Sequence, residues 1–401
     1  MRARSQAATS LTLASLPDDV LQQIIAAFSD IGSVDDTPRV DLPLLKDVKG
    51  LACSKGMLQQ LRRLRPLVGV NNLAVVQRSY HGPWRVVLLY EGELTEAVVE
   101  QARQGRVHSI FGTQAQRALN PAVAERVVPM LLGAGCSLLE LYWLGVKLNG
   151  TWAAIFGEEA VCSASLRSLS LDLCGLQGPL PKLRLPALQV LDLDDNDMSG
   201  SLEPLGGCTA LLQLTLSRNQ LTGGLEPLRG CTALEMLHLS SNRLSGGLES
   251  LRRCTALTDL RLDDNSLTGG LEPLRGCAAL EDLLLYDNHL TGELEPLRRC
   301  TALQDLWLSG NDLTGGLDAL QGCTALRDLR LSNNQCTGGL EPLRSCKALQ
   351  ELYLDNNRLT GGLEPLWGCT ALKELSLENN QLVLLYEDRA HFEEQCEAFL
   401  S

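Results

Sequence analysis

Aromatic residues are scarce in this chain of 401 residues, where phenylalanine, tryptophan and tyrosine together make up 4%. Because hydrophobic residues nevertheless reach 45%, a large core must be built mainly from aliphatic side chains. No stretch approaches the roughly 18 uninterrupted apolar residues that a membrane span needs. Residues 1–13 also lack the apolar segment of a secretory signal. The sequence therefore predicts a folded protein with neither a membrane span nor a secretory signal.

The residue patterns of catalytic and cofactor sites are missing as well. The 5 histidines are scattered, and His238 and His289, which fall at predicted strand positions, have no nucleophile beside them. Gly-Gly pairs recur without the lysine that follows them in phosphate-binding loops. We therefore expect no enzyme activity, no cofactor and no metal.

Positive charge is sparse in the second half of the chain. Residues 1–186 carry 19 lysines and arginines against 16 acids, a net charge of +3, whereas residues 187–401 carry 16 against 32, a net charge of −16. Nucleic-acid binding needs clustered lysine and arginine, so a nucleic-acid ligand is not expected. An acidic half instead favours a basic protein partner or serves solubility.

One unit of 23 residues dominates the second half. Nine asparagines recur at this spacing from Asn196 to Asn380, and around Asn357 the chain reads Leu-Gln-Glu-Leu-Tyr-Leu-Asp-Asn-Asn-Arg-Leu. Leu352 and Leu354 are two residues apart, so both point to one face of an extended strand. No unit can bury its leucines alone, and stacking of the units gives one continuous core.

This L-x-x-L-x-L-x-x-N-x-L pattern resembles the leucine-rich-repeat family, over about half of the chain. The resemblance implies an α/β leucine-rich-repeat solenoid, with a parallel sheet on its concave side. Short turns or 3₁₀ segments would line the convex side, and the asparagines would bond the backbone of the turns. The Thr-Gly-Gly-Leu-Glu-Pro-Leu half of the unit is similar to plant-type repeats, with its proline displaced.

Domain boundaries follow from the repeat and from its degraded copies, in one of which Cys174 takes the asparagine position. The predicted units are a disordered tail (1–14), a helical module (15–66), longer irregular repeats (67–186), regular 23-residue repeats (187–385) and a capping helix (386–401). The capping helix is predicted because Phe392, Cys396 and Phe399 recur at helical spacing.

The chain has 14 cysteines, and eight of them occupy one repeat position. These eight, the cysteine ladder, are Cys208, Cys231, Cys254, Cys277, Cys300, Cys323, Cys346 and Cys369. Side chains at one repeat position are parallel, whereas a disulfide needs converging Cβ vectors. We therefore predict small buried thiols, and so many free thiols indicate a reducing compartment, the cytoplasm or the nucleus.

In the family that the pattern resembles, strand positions between the leucines point to the concave surface. One such position reads acid in six successive units, the carboxylate row: Asp259, Asp282, Asp305, Asp328, Glu351 and Glu374. Neighbours about 5 Å apart repel by about 1 kcal/mol in water and roughly 3 kcal/mol at an effective dielectric constant of 20. Folding alone does not demand this row.

Further outward positions supply cations and large rings. Arg261 and Arg330 lie two residues beyond Asp259 and Asp328, and aromatic and arginine side chains are typical of interface hot spots. The predicted partner-binding residues are the carboxylate row together with Arg261, Tyr286, Trp307, Arg330 and Tyr353. The hypothesis is that this face binds a basic segment, with Trp307 and Tyr353 as anchors. The alternative is that repeat duplication copied a solubilising acid without selection for binding.

Residues 16–28 read as a helix with an apolar stripe, followed by a second helical stretch over 42–64. The opening Leu-Pro-Asp-Asp-Val-Leu-Gln-Gln-Ile-Ile and the later Ala-Cys-Ser-Lys resemble an F-box. That resemblance implies binding to a Skp-family adaptor of a cullin-type ubiquitin ligase through Leu16, Pro17, Leu21, Ile24 and Ile25. The alternative is a helical cap that seals the first repeat.

The function predicted from the sequence is protein binding on the concave face, as the substrate-recognition subunit of a cullin-type ubiquitin ligase. The first alternative is a cytosolic leucine-rich-repeat signalling scaffold with no ligase association. The second is a plant-type receptor-like repeat protein. The free cysteines and the missing signal and membrane segments favour the first two over the third.

Overall fold

A computed structural model gives the structure of residues 161–383 without a break. It also describes residues 73–78, 84–90, 109–112, 131–132, 136–145, 148, 150–156, 385, 387–388, 391–392 and 398–399. The predicted disordered tail (1–14) and helical module (15–66) lie outside the described residues. Among the described residues, no helix is long and apolar enough to cross a membrane.

A 15-stranded sheet runs through the described parts of the chain. Its strands, in spatial order, are β1 (Leu73–Arg78), β2 (Trp84–Tyr90), β3 (Ser109–Gly112), β4 (Glu140–Leu144), β7 (Ser168–Asp172), β10 (Val190–Asp192), β12 (Gln213–Thr215), β14 (Met236–His238), β16 (Asp259–Arg261), β18 (Asp282–Leu284), β20 (Asp305–Trp307), β22 (Asp328–Arg330), β24 (Glu351–Tyr353), β26 (Glu374–Ser376) and β28 (Ala398–Phe399). The first two strands pair antiparallel, and the pairs from β2 onward are parallel.

Each strand of the regular repeats has three residues, and its central leucine is buried. Because the unit is always 23 residues long, neighbouring strands pair residue for residue: Asp282 aligns with Asp305, and Leu284 with Trp307. The two outer side chains of each strand therefore form continuous rows on the exposed face. The predicted repeat solenoid of parallel strands is confirmed.

A second set of short strands follows the asparagine of each repeat. An 8-stranded sheet contains β5 (Gly150–Thr151), β8 (Leu176–Pro179), β11 (Asp197–Gly200), β13 (Gln220–Gly223), β15 (Arg243–Gly246), β17 (Ser266–Gly269), β19 (His289–Gly292) and β21 (Asp312–Leu313). A 3-stranded sheet contains β23 (Thr337–Gly338), β25 (Arg358–Gly361) and β27 (Gln381–Leu382). A further pair joins β6 (Val161–Cys162) to β9 (Leu183–Arg184).

Single 3₁₀ turns complete the units, as predicted from the short Glu-Pro-Leu segments. They span Glu203–Leu205, Glu226–Gly230, Glu249–Arg253, Glu272–Gly276, Glu295–Arg299, Asp318–Gly322, Glu341–Ser345 and Glu364–Gly368. Proline suits the first turn because its missing N–H would have no intrahelical partner there. Helix is otherwise scarce in the described residues, where α1 (Trp152–Phe156) has five residues.

The repeat asparagines hold the turns together, which confirms their predicted structural role. The side chain of Asn288 donates to the carbonyl oxygens of Leu262, Leu285 and Tyr286 at 3.0–3.2 Å, and its oxygen accepts the N–H of Leu267 at 2.9 Å. The residue before each asparagine adopts positive φ: Asp287 has φ 51°, and Gly310 has φ 66°. Aspartate, asparagine and glycine tolerate this conformation best.

The cysteine ladder is buried, as predicted, and its side chains continue the backbone network. The thiol of Cys300 donates to the carbonyl oxygen of Cys277 at 3.3 Å, and Cys277 does the same to Cys254 at 3.4 Å. Burial, reinforced by the neighbouring thiols, raises the pKa of Cys300 to about 12. Cys174, which takes the asparagine position in its repeat, donates to the carbonyl oxygen of Trp143 at 3.4 Å.

The end of the chain departs from the predicted helix over 386–401. Residues 387–388 and 391–392 are helical, but β28 (Ala398–Phe399) extends the long sheet by pairing with β26. The helical spacing of Phe392 and Phe399 was therefore misleading. Phe392 is fully buried against the core, whereas Phe399 lies beside Leu375 as a strand residue.

Candidate partner-binding face

The six predicted carboxylates lie on one face of the long sheet. They are the first residues of strands β16, β18, β20, β22, β24 and β26, and each aligns with the next in register. We call this side of β16–β26, with its outward side chains, the exposed sheet face. The carboxylate row therefore exists as predicted from the 23-residue spacing.

The last residues of the same strands form a second row. It reads Arg261, Leu284, Trp307, Arg330, Tyr353 and Ser376, in register from β16 to β26. Tyr286 lies just beyond β18, and its ring centroid is 6.1 Å from that of Trp307. All the side chains predicted to bind a partner therefore belong to this face.

Two arginines neutralise parts of the carboxylate row. Arg330 is bonded to Asp328 at 2.9–3.0 Å and to Glu351 at 2.6 Å. Arg261 is bonded to Asp259 at 2.9 Å, and Nε2 of His238 lies 2.9 Å from the other oxygen of that carboxylate. Burial alone would raise the pKa of Asp259, but the hydrogen bonds from His238 and Arg261 outweigh it, so that pKa is lowered.

The middle of the row carries carboxylates without this compensation. The nearest cation to Asp282 is Arg261 at 3.8 Å, and no ion pair of Asp305 occurs among the described residues. Burial, together with the charge of Asp259, raises the pKa of Asp282. Burial and the charges of Asp282 and Asp328 raise that of Asp305. Asp282 and Asp305 hydrogen bond to each other, which requires a proton between them.

Beside the carboxylates lies a shallow aromatic pocket of about 360 Å³. Its lining consists of Tyr286, Trp307, Ser309, Arg330, Ser332 and Tyr353. The guanidinium carbon of Arg330 lies 4.1 Å from the Trp307 ring centroid and 4.8 Å from that of Tyr353. The indole N–H of Trp307 is buried and has no hydrogen-bond partner within the described part of the chain. An unmade bond of a buried donor costs about 1–3 kcal/mol.

Some features of this face were not predicted from the sequence. His238 was noted only as an isolated histidine, although 21 residues separate it from the carboxylate that it contacts. His289 was placed on this face, which is wrong: it begins β19 in the second sheet and is exposed there. The residue after the last leucine of the strand also faces outward, as Ser309 and Ser332 do.

A second acidic group lies at the other end of the long sheet. Asp192 accepts hydrogen bonds from Ser170 at 3.1 Å and from Thr215 at 2.9 Å. Burial and the charge of Asp192 raise the pKa of Asp172 to about 6 and that of Asp194 to about 7. Variable residues occupy these positions in other repeats, so the repeat pattern alone could not reveal the group.

A family model of leucine-rich repeats (2 copies) matches residues 324–361 and 347–387. Leucine-rich repeats are therefore present in this chain, as the residue pattern predicted. No curated protein matches the sequence.

Solved structures with similar folds come from plants and bacteria. A plant peptide hormone receptor, RGFR1 in complex with RGF2, is 25% identical with a TM-score of 0.57, covering 73% of this chain and 54% of the receptor chain. The Arabidopsis receptor kinase HAESA, in complex with a peptide hormone ligand, is 25% identical with a TM-score of 0.52, covering 69% and 54%. An internalin from Listeria monocytogenes is 19% identical with a TM-score of 0.58, covering 79% and 87%.

The internalin likeness shows the fold alone. The chain spans about half the length of the first plant receptor structures that it matches, with 54%, 54% and 46% of those chains covered. Together, the family model and these structures identify a leucine-rich-repeat solenoid. Such solenoids generally mediate protein–protein interaction.

Proposed function

We propose that this protein binds a partner protein through a basic segment, which lies on the exposed sheet face with Trp307 and Tyr353 as anchors. The observation that carries the proposal is the carboxylate row in register beside the aromatic pocket. A basic segment would relieve repulsion among these acids, and the rings would supply apolar contact area. The chain has no chemical step of its own in this proposal.

Folding energetics support a binding role for the face. Like charges directly opposite one another destabilise a sheet, and the buried indole N–H of Trp307 lacks a partner among the described residues. Both features reduce stability, whereas an aliphatic or small polar residue would satisfy the strand equally well. The alternative, duplication of a solubilising acid, explains the repeated carboxylates but not the aromatic pocket between them.

The structural neighbours support a protein or peptide as the ligand class. RGFR1 is a plant peptide hormone receptor in complex with RGF2, and HAESA is in complex with a peptide hormone ligand. Both are 25% identical to this chain over about 70% of its length. A receptor-like role is therefore an alternative to a scaffold or adaptor, with the same face presented to the ligand.

Affinity capture with a charge-neutralised variant tests the proposal. In the test variant, Asp282, Asp305 and Asp328 become asparagine and Glu351 becomes glutamine. The matched control removes four charges from exposed positions of the 3₁₀ turns, by changing Glu203, Glu226, Glu249 and Glu341 to glutamine. The proposal predicts that proteins captured by the wild type are lost with the test variant and kept with the control. Unchanged partners for the test variant contradict it.

A finer part of the proposal rests on the N-terminal sequence alone, because 15–66 lies outside the described residues. There we propose an F-box-like module that binds a Skp-family adaptor, so that the solenoid selects substrates for a cullin-type ubiquitin ligase in the cytoplasm. Capture followed by mass spectrometry tests this role. It requires a Skp-family adaptor and a cullin with the wild type, and their loss when Leu16 and Pro17 become alanine. A wild type that captures neither protein identifies a scaffold or receptor-like role instead.

A further inference from the structure

The exposed sheet face is not uniform from strand to strand. On β16 and β22 the sequence Asp-Leu-Arg places a cation beside its own acid, so these strands neutralise themselves. The carboxylate of Glu351 on β24 accepts from Arg330, and that of Glu374 on β26 accepts from the hydroxyl of Tyr353. Four of the six carboxylates therefore have a strong partner within the protein.

The two strands between β16 and β22 are different. There the sequences Asp282-Leu-Leu284 and Asp305-Leu-Trp307 follow the acid with a large apolar side chain and provide no arginine. Asp282 has a single cation, at 3.8 Å, and Asp305 has no ion pair within the described residues. Leu284 and Trp307 are partly exposed next to Tyr286. Only on β18 and β20 are uncompensated acids and apolar side chains neighbours.

We infer that β18 and β20 are the docking point for a specific segment pattern, in which a lysine or arginine and a large apolar residue stand two positions apart. The basic side chain lies between Asp282 and Asp305, and the apolar one lies on Leu284 and Trp307. This inference rests on the proposed function and deepens it, because it names the segment that the face selects.

The spacing of the two subsites determines the pattern. Asp305 and Trp307 are two residues apart on one strand, which places their side chains on one face about 6.6 Å apart along the strand. An extended partner segment that runs along β18 and β20 has the same geometry, so its own residues i and i+2 face both subsites together. Residues i and i+1 point to opposite faces and cannot occupy both.

Binding at the acid pair also moves a proton. The hydrogen bond between Asp282 and Asp305 holds one proton between two carboxylates. An ammonium or guanidinium group stabilises both carboxylates in their charged form, so the shared proton is released to solvent when the segment binds. The cation of the segment replaces that proton in the charge balance of the pair.

Two peptides of equal composition and charge test the inference. Lys-Ser-Phe-Ser-Lys-Ser-Phe places lysine and phenylalanine on one face, and Lys-Phe-Ser-Ser-Lys-Phe-Ser places them on opposite faces. Binding of the fluorescein-labelled peptides to the full chain is measured by anisotropy at low salt. We expect at least fivefold tighter binding of the first peptide. Trp307→Ala should remove this advantage, and Ser376→Ala, at the matched position of β26, should keep it.

A pair of matched neutralisations locates the cation. Asp305→Asn should weaken the first peptide at least fivefold, whereas Glu374→Gln in the same row should change its binding less than twofold. Both substitutions keep the side-chain shape, so the result does not depend on whether Trp307→Ala folds. Equal binding of the two peptides, or equal effects of the two neutralisations, overturns the inference but leaves a general acidic binding face intact. If neither peptide binds, the inference also falls, and the four-site capture experiment decides the proposed function separately.

Discussion

The guanidinium carbon of Arg330 lies 4.1 Å from the ring centroid of Trp307, one strand away on the exposed sheet face. The same arginine is bonded to Asp328, whose side chain is only 12% exposed. Arg330 therefore joins the carboxylate row to the aromatic pocket. It also fixes the orientation of the indole that we propose as an anchor for a partner.

Replacement of Arg330 by methionine should destabilise the fold by about 1–2 kcal/mol. The change leaves Asp328 without its cation, and the loss stays below the 3–5 kcal/mol of fully buried pairs because Arg330 is 33% exposed. Urea denaturation measures it. Arg275→Met, in an exposed ion pair with Glu272, is the matched control and should leave the midpoint unchanged. Equal midpoints for all three proteins would show that Arg330 carries no structural load.

Replacement of Asn288 by alanine should cost about 2–4 kcal/mol. The substitution removes three donated hydrogen bonds and one accepted bond, and it leaves buried backbone groups without partners. Thermal unfolding of the variant should show a clearly lower midpoint than the wild type. Gln220→Ala, at an exposed position of β13, should differ little. A variant as stable as this control contradicts the structural role of the repeat asparagines.

The cysteine ladder should resist alkylation in the native protein. Burial, with the neighbouring thiols, raises the pKa of Cys300 to about 12, so almost no thiolate is present at pH 8. Iodoacetamide pulses followed by peptide mass spectrometry should label Cys162, which is half-buried, before any member of the ladder. Denaturant should make the ladder reactive. Labelling of Cys300 as fast as Cys162 in native protein would refute the packing described.

Asp194→Asn should stabilise the protein at pH 8 by about 2 kcal/mol. Burial, with the charge of Asp192, raises the pKa of Asp194 from 3.8 to about 7, so the folded state binds more protons than the unfolded state between these values. Stability therefore falls as pH rises through that window, and the neutral variant avoids this loss. Urea unfolding at pH 4 and pH 8 should show an advantage only at pH 8. An advantage of equal size at both pH values excludes titration of Asp194 as its cause.

Much of the fold could be predicted because the repeat is strict. A period of 23 residues fixes the register, so the alignment of Asp282 with Asp305 followed from counting, and the buried leucines followed from their two-residue spacing. The end of the chain could not be predicted in this way. Phe392 and Phe399 share a helical spacing, but pairing with β26 stabilises a strand at Phe399. Tertiary pairing overrode the local pattern there.

The site could be predicted by position but not by its electrostatics. The sequence placed all six carboxylates on one face, yet it could not show which of them are neutralised. That depends on side-chain rotamers, such as the one that directs Arg330 to both Asp328 and Glu351. The contact of His238 with Asp259 crosses between strands and has no signal in either repeat alone. The weak compensation of Asp282 and Asp305 is therefore a structural finding.

Site-specific photo-crosslinking tests the central claim, that the exposed sheet face holds the partner, most directly. A benzophenone amino acid replaces Trp307 in one protein and His289, exposed on the second sheet, in the other. Each protein is irradiated with partners captured by the wild-type chain, and the crosslinked peptides are identified by mass spectrometry. Our account predicts crosslinks from position 307, to a partner peptide that contains lysine or arginine, and none from position 289. Crosslinks from position 289 with none from position 307 would contradict it.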